Sequence, residues 1–484
     1  MAPAATFNSL NLSRQTSGTM KRGSTAKRSP RVLYLAFFFP PSRSSGVYRA
    51  RATADLLARH GWDVTVCTAP RRFFTEYIGS TDPSLEDGVD PRIRVERPNM
   101  GYFRWERDIR RYGRFRANMP VLANAAYNWF QRHFFPEHYA SWIPRVLARA
   151  LRMHARRRFD LVVATGNPFA SFAAAWWLHR LTGVPYVLDY RDSWTFNQFT
   201  EEHKYPAGHP AWKWERRTVE GAALTVFVNE GLRTWHAERY PAAADRMAVA
   251  TNGWEPELLG RATYPGPATG RPLRFGYVGT ITEQMPLTEL FEGWRIARKD
   301  PELADAALDL YGHLGFFRQS ADPLLDRIPL TEDLGVTYRG PLEKARVADA
   351  YRDVDVLLFC VPGARYVTSG KVFEYMAAGK PIVSVHAPQI AAVDVLTGHP
   401  LWFGVDRLDA DAVAEAMVAA AKAARALTEA DFDGALAHAQ RYTREATLAP
   451  LEAELRRIAG RPAAESTDTS AAATAMASGA VSDG

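Results

Sequence analysis

At 484 residues and 47% hydrophobic content, the chain can bury a sizeable core, enough for roughly two to four domains of ~100–200 residues, which excludes a disordered polypeptide. Its two cysteines, Cys67 and Cys360, each sit in a strand-like run (VTVCTA and VLLFCV), which excludes a disulfide framework and fits the buried, reduced thiols of a cytosolic protein. No apolar run approaches the ~18 residues needed to cross a bilayer and the start lacks the apolar core of a secretory signal, so the formal charge of +7 is read as that of a cytoplasmic globular protein.

Residues 1–30, rich in Ser, Thr and basic side chains, and residues 461–484 have little to bury and read as disordered tails; a transit peptide is the competing reading of the basic start. From Arg31 the periodicity alternates. RVLYLAFFF reads as a strand, SGVYRARATADLLARHG as a helix ending in glycine, and DVTVCTA as a strand. After an irregular basic insertion, about 92–160, come DLVVATG, the helix FASFAAAWWLHRLTG, PYVLDYRD, LTVFVN, EGLRTWHAERY and RMAVATNG, which complete a first domain over 31–255. A Pro/Gly-rich linker, 256–271, precedes a second domain of the same kind over 272–440, with LRFGYVG, ALDLYG, GVTYRG, VDVLLFCV and PIVSVHA as its strands. The last helical stretch, 441–460, is long enough to cross back onto the first domain. Strands alternating with helices favour parallel sheets covered on both faces, with ligands outside the carboxyl ends of the strands. The expected fold class is therefore α/β, two Rossmann-like βα domains facing each other across a cleft.

The stretch SGKVFEYMAAGKPIVS, Ser369 to Ser384, follows VDVLLFCV and opens a helix at the carboxyl edge of the second sheet. Unpaired N–H groups and a partial positive charge there suit a phosphate, and Lys371 adds a full charge. Glu374, one turn along, can accept two hydrogen bonds from vicinal hydroxyls. Phosphate and diol together spell a nucleotide; a solvated i,i+3 pair on an exposed helix is the plain alternative. Other motifs fail. GARYVTSGK has six residues between its glycines where a phosphate-binding P-loop has four, and Val372 replaces the magnesium-ligating Ser/Thr. Asp353-Val354-Asp355 has the form of a metal-binding pair, yet Asp355 leads straight into VLLFC, so a helix end followed by a strand start accounts for it. The distant cysteines offer no zinc site, and no metal or cofactor is expected.

SGKVFEYMAAGKPIVS resembles the donor-binding segment of GT-B glycosyltransferases, in particular the large retaining group called family 4, whose members carry similar SKxxEYMAxGKPIV-type runs. FFFPPSRSSGVYRARATADLLARHGWDVTV, ATNGWEPE and FGYVGT agree with it in order and spacing, so the resemblance covers about residues 31–460. It implies a GT-B fold in which the first domain receives the acceptor and the second holds a nucleotide sugar. Carried over by position, it gives Glu374 the ribose hydroxyls, Ser369, Gly370 and Lys371 the diphosphate, and Gly279 with Thr280 the loop beneath it. The backbone around Arg339 and Gly340 flanks the base, and Ser45 and Gly46, in the loop from Ser44, approach the donor phosphates. Arg191 and Asp192, in DYRDSW, face the cleft and join Lys371 as the catalytic candidates. Plainer readings stand beside these: a flexible turn for Gly46, an N-cap or an Arg191 ion pair for Asp192, a strand-end turn for Gly279.

Two departures from the family pattern matter. Tyr366 stands where many members have a sugar-contacting glutamate. TITEQMPLTEL lacks the Arg and Lys that usually hold the phosphates, which leaves Lys371 and Arg365 to supply that charge. The implied activity is retaining, metal-independent transfer of a sugar from a nucleotide diphosphate to an acceptor hydroxyl, in cell-envelope polysaccharide or glycolipid synthesis. A catalytically silent nucleotide-sugar-binding subunit and a nucleotide-sugar epimerase of similar architecture are the alternatives. From Arg92 to Asp160 there are 16 Lys+Arg against 5 Asp+Glu, +11 in a chain of +7, with aromatics interleaved (GYFRWERDIRRYGRFR, NWFQRHFFPEHYASW). That composition suits an anionic membrane surface on the cytoplasmic side and a lipid-linked or carbohydrate acceptor; nucleic acid is the weaker competing partner, and a solvated helical face with core aromatics the plain one.

Overall fold

The computed structural model describes residues 28–44, 46–315, 321–343, 346–361, 363 and 365–460. Ser45 and the tails expected at 1–30 and 461–484, apart from residues 28–30, lie outside the described residues.

Apolar runs such as Arg31–Leu35, Leu161–Gly166, Tyr186–Tyr190 and Val356–Cys360, buried end to end, make the central strands, as sheets covered on both faces require. The first domain carries β1 (Arg31–Leu35), β2 (Asp63–Cys67), β3 (Arg94–Glu96), β4 (Leu161–Gly166), β5 (Tyr186–Tyr190), a short antiparallel ribbon of β6 (Phe196–Asn197) and β7 (Glu202–His203), then β8 (Leu224–Phe227) and β9 (Met247–Val249). Its main sheet has the order β3-β2-β1-β4-β5-β8-β9, every neighbour parallel. The second domain carries β10 (Arg274–Val278), β11 (Ala307–Tyr311), β12 (Val336–Gly340), β13 (Val356–Cys360), β14 (Ile382–Val385) and β15 (Trp402–Gly404), in the order β12-β11-β10-β13-β14-β15, again all parallel. In each sheet the strand order reverses once, between β1 and β4 and between β10 and β13. Those are the switch points where such sheets open a crevice for a ligand.

RVLYLAFFF is a strand only through Leu35; Ala36 to Phe39 run on in irregular structure, although Phe37 and Phe39 are fully buried. Pro40 and Pro41 have no N–H to give a ladder, and Phe37 packs edge-on against Phe73, Tyr139 and Trp142 instead. The basic insertion is less irregular than its composition suggests. It forms helices Arg114–Asn118, Pro120–His133 and Ile143–Arg156, and the last buries Val146, Ala150 and Met153 at spacings of four and three beneath the Ala170–Thr182 helix. That last helix is thus anchored in the core. Cys67 and Cys360 are buried free thiols, and Asp355 bonds Arg271 at the start of β13 rather than a partner of Asp353.

The C-terminal helix Arg444–Ile458 returns to the first domain, where Leu448, Leu451 and Leu455 join Val32, Tyr34, Leu56 and Leu57 in one apolar cluster. At ~1.5–3 kcal/mol per fully buried leucine, the three anchor the crossing firmly. Trp62 Nε1 donates to Glu452 Oε1 at 2.6 Å, which the buried Arg456 also holds. The two chain crossings between domains run side by side: Trp254 N donates to Tyr442 O at 3.1 Å and Arg444 N to Trp254 O at 2.8 Å. Gly253 is required there, because a Cβ would lie 2.5 Å from Tyr442 O. Among the described residues no helix is long and apolar enough to cross a membrane.

Candidate functional site

The described residues singled out by sequence fall at the carboxyl ends of β1, β5, β10, β12 and β13 or at the start of the segments that follow them, and of these strands β1, β10 and β13 flank the two switch points. Lys371 lies in the first turn of the Gly370–Met376 helix, and its Nζ donates to Tyr277 Oη at 3.1 Å; the Tyr277 hydroxyl donates in turn to Thr280 O at 2.8 Å. The ammonium lies directly over Gly279, where a Cβ would stand 1.8 Å from Nζ, so the glycine makes room for the lysine. That close approach answers the plain reading of Gly279 as a mere strand-end turn. Gly279 in turn presses on Gly312, where an added Cβ would meet Gly279 O at 1.8 Å. Enclosure against Tyr277 and the glycine loop pushes the Lys371 pKa down to about 8, with nearby Glu374 resisting the shift. A cation poised between charged and neutral at ordinary pH, with few counter-charges, is a ready partner for an incoming anion.

Glu374 and Lys371 do not bond each other. Tyr351 Oη donates to Glu374 Oε2 at 2.7 Å, and Tyr351 packs edge-on against Tyr375, whose hydroxyl accepts from Val278 N at 2.9 Å. Tyr375 thus ties the Gly370–Met376 helix to β10 while Tyr351 braces it and holds Glu374, so the carboxylate and the glycine loop keep a fixed relation. Ser369 is the N-cap residue of this helix but makes no capping bond with its side chain, and Gly370 is exposed.

On the first domain, Arg191 follows β5 and lies against Gly46, where a Cβ would fall 1.5 Å from the guanidinium Nη1. Arg191 Nε donates to Thr165 Oγ1 at 3.1 Å and Nη2 to Asn167 O at 2.7 Å, so its bonds go to the β4 loop and not to Asp192. Asp192 accepts from Gln198 Nε2 at 3.2 Å; its neighbour Lys204 has a pKa lowered by burial and supported by the Asp192 charge. Behind this edge, Arg49 grips Asp189 of β5 through Nε and Nη2 at 2.9–3.1 Å, both groups buried. Neither residue had been singled out.

Other candidates land elsewhere. Arg339 Nε donates to the buried Asp309 at 2.8 Å, a carboxylate that Arg274 also binds, so only the backbone at Arg339 and Gly340 is left for a ligand. Gly340 has φ +77°, a left-handed turn suited to glycine. Arg365 is exposed, its guanidinium 5.6 Å over the Tyr366 ring. Tyr366 reaches the first domain: its ring meets Phe196 edge-on at 4.8 Å, and its carbonyl accepts from Asn229 Nδ2 at 2.9 Å.

Tyr277 and Tyr351 had been overlooked, although Tyr277 lies within FGYVGT; a hydroxyl in a glycine-flanked strand end was the available signal. Arg444 carried none. It sits at the start of the crossing helix with Nε 3.3 Å from Glu255 Oε1, and burial pushes its pKa down to about 10 while Glu255 and, more weakly, Glu374 hold it up. Among the described residues no group of three His, Cys, Asp or Glu side chains could hold a metal ion.

Comparison with known families gives two adjacent matches, the glycosyl transferase 4-like domain over residues 46–253 and the glycosyl transferases group 1 over residues 272–423. None of the curated proteins matches the chain in sequence. Among solved structures, the chain is similar to a glycosyltransferase from Rickettsia africae, with TM-score 0.58 and 13% identity over 89% of this chain and 98% of that one. It is similar to the sucrose-phosphate synthase of Thermosynechococcus elongatus, with TM-score 0.58 and 15% identity over 89% and 99%. The HepE protein of Anabaena in complex with UDP gives TM-score 0.58 and 14% identity over 88% and 100%. At such identities the likeness shows the shared two-domain fold.

Proposed function

This chain belongs to the GT-B glycosyltransferases, its two halves matching the glycosyl transferase 4-like and group 1 families in order, and on that premise we propose the reaction it performs. It moves a hexosyl group, with retention and without a divalent ion, from a nucleotide diphosphate to the hydroxyl of a carbohydrate or lipid-linked acceptor. It does so on the cytoplasmic face of the membrane, in cell-envelope polysaccharide or glycolipid synthesis. The observation that carries the reading is the Lys371 ammonium held over Gly279 by Tyr277, one helical turn from the Glu374 carboxylate. HepE binds UDP and UDP-glucose, which makes uridine nucleotides the first donors to try.

In this reading Glu374 takes the ribose hydroxyls and Lys371 the diphosphate. As the bond to the sugar breaks, negative charge grows on the diphosphate, and a fixed ammonium in an enclosed site stabilises that charge more than it does the ground state. Arg191, laid over Gly46, supplies a second cation from the opposite domain, and Asp192 beside it orients the acceptor hydroxyl. Positioning by two facing domains provides the rest, and closure keeps water from the departing sugar.

The test is transfer from a panel of sugar nucleotides to extracted lipid and polysaccharide acceptors, with and without chelator, reading the anomeric configuration of the product by NMR. Retained configuration and undiminished rate in chelator support the proposal. Loss of activity restored by magnesium or manganese overturns the metal-free mechanism. Nucleotide binding with no transfer to any acceptor favours the silent subunit, and conversion of the donor sugar into its epimer without an acceptor favours the epimerase.

A further inference from the structure

The apolar side chains exposed on this protein are not scattered. Of fourteen large hydrophobic residues exposed among the described residues, eight fall between Ile109 and Phe134. The Pro120–His133 helix buries Ala123 alone, while Val121 is 78%, Leu122 57% and Trp129 57% exposed. The helix is held to the chain by Tyr127, stacked on Phe103 at 4.5 Å, and by Gln131 Nε2, which donates to Glu137 O at 2.7 Å, so its Val121, Leu122 and Trp129 stay uncovered. Monomeric proteins seldom leave so concentrated an apolar surface without a use.

Three further observations identify what covers it. Arginines flank the helix in sequence, and no ion pair among the described residues engages Arg104, Arg107, Arg114 or Arg132; Arg110 and Arg111, by contrast, bond Asp108 and Glu76. The apolar surface continues past the helix, because Trp214 Nε1 donates to Phe134 O at 2.6 Å, the Trp214 ring meets Trp176, and the neighbouring Trp177 and Leu181 are exposed. A recess of about 840 Å3 opens beside the Arg114–Asn118 helix, where Arg72, Arg111, Arg114 and Arg116 outnumber the carboxylates of Glu76 and Glu106, and has room for a phosphate headgroup.

We propose that this face, the helices Arg114–Asn118 and Pro120–His133 with the Trp177–Leu181 edge, docks on an anionic lipid bilayer. Aliphatic and aromatic side chains enter the headgroup boundary while the unpaired arginines meet lipid phosphates, the division of labour of an interfacial amphipathic helix. The docking narrows the basic segment seen in the sequence to its first half, because the Ile143–Arg156 helix belongs to the core and Arg149 bonds Glu96 at 2.8–2.9 Å. It deepens the lipid-linked acceptor reading, but its test uses neither donor nor acceptor, so the two can fail separately.

The experiment is co-sedimentation of the full chain with vesicles of phosphatidylcholine alone or mixed with phosphatidylglycerol, across a salt series. Wild type is expected to bind the anionic vesicles, to bind the neutral ones poorly, and to be released as salt shortens the Debye length from ~10 Å at 0.1 M to ~3 Å at 1 M. The variant carrying Arg104→Glu, Arg107→Glu, Arg114→Glu and Arg132→Glu should lose ~100-fold or more in vesicle affinity, with an unchanged melting temperature. Val121→Ser with Leu122→Ser should weaken binding at every salt concentration without altering its slope. Failure of wild type to bind anionic vesicles, equal binding of the charge-reversed variant, or equal binding to neutral vesicles overturns the proposal. So does capture by homopolymeric single-stranded DNA without lipid binding, or a concentration-dependent dimer that the Val121→Ser, Leu122→Ser variant abolishes.

Discussion

Replacing Lys371 by methionine keeps the length of the side chain and removes its charge. In the free protein the ammonium is disfavoured by enclosure, its pKa standing at about 8 against an ordinary 10.5, which corresponds to ~3.5 kcal/mol against the charged form. A bound diphosphate reverses that balance, so at neutral pH the wild type gains a charge-assisted contact of ~1.5–3 kcal/mol that the methionine variant lacks, ~10- to 150-fold in affinity for UDP. Above pH 8 the free lysine is neutral and must take up a proton to bind. Wild-type affinity should then fall ~10-fold per pH unit, converging on the variant, whose own profile stays flat. Calorimetric titration with UDP, in buffers of differing ionisation enthalpy, reads both the affinity and the proton uptake. Stability should move the other way. Because the folded pKa lies below the unfolded one, the unfolded chain holds an extra proton between pH 8 and 10.5, the wild type gains stability as pH rises through that window, and at pH 7 the variant should melt no lower than wild type. A pH-independent wild-type affinity, or a folded variant that binds UDP as tightly as wild type at pH 7, refutes the placement of Lys371 at the diphosphate.

Glu374→Ala should weaken nucleotide binding by ~1.5–3 kcal/mol without unfolding the protein, and the loss should be smaller for the 2′-deoxy nucleotide, which offers the carboxylate one hydroxyl instead of two; calorimetry with UDP and its 2′-deoxy analogue checks both. Glu137, whose carboxylate accepts from the N–H groups of Phe169 and Ala170 at the start of the Ala170–Thr182 helix, is raised by burial from 4.5 to about 7. The folded pKa lies above the unfolded one, so its contribution is complete below pH 4.5 and is lost as pH climbs through 7; melting temperature should fall across that range in wild type and less in Glu137→Gln.

What could be read from the sequence was what is written locally. Unbroken apolar runs such as VLLFC and the spacing of SGKVFEYMAAGKPIVS declare a parallel sheet and a helix following it, and the pattern repeats often enough to give two domains and a crossing helix. The charge between Arg92 and Asp160 was equally plain, but composition says nothing of which arginines find carboxylates, and the fold pairs Arg110, Arg111 and Arg149 while leaving Arg107 and Arg114. Partners brought from far along the chain left no trace: Tyr277 reaches Lys371 across 94 residues and Tyr351 reaches Glu374 across 23. Lys380 shows the limit from the other side. It shares the GK motif with the site, yet its ammonium donates to Arg352 O at 2.6 Å and to Val354 O, closing the turn into β13. Two lysines nine residues apart in one motif serve different ends, and only burial and partners separate them.

The same accounting explains how the cleft can open without the domains coming apart. Across the cleft, Tyr366 contributes one edge-to-face aromatic pair with Phe196, ~0.5–1.5 kcal/mol, and its carbonyl one hydrogen bond from Asn229 of similar net worth. At the hinge side, the buried leucines of the crossing helix, the paired backbone at Trp254 and Tyr442, and the Arg51–Glu255–Arg444 cluster hold several times as much. Asn229 Nδ2 also lies 3.4 Å from Thr368 Oγ1, and the sum of a few such contacts stays well below what the hinge side holds. The aromatic at position 366 therefore belongs to the weaker of the two joints between the domains, and in the proposed transfer the weaker joint is the one that opens to exchange the nucleotide.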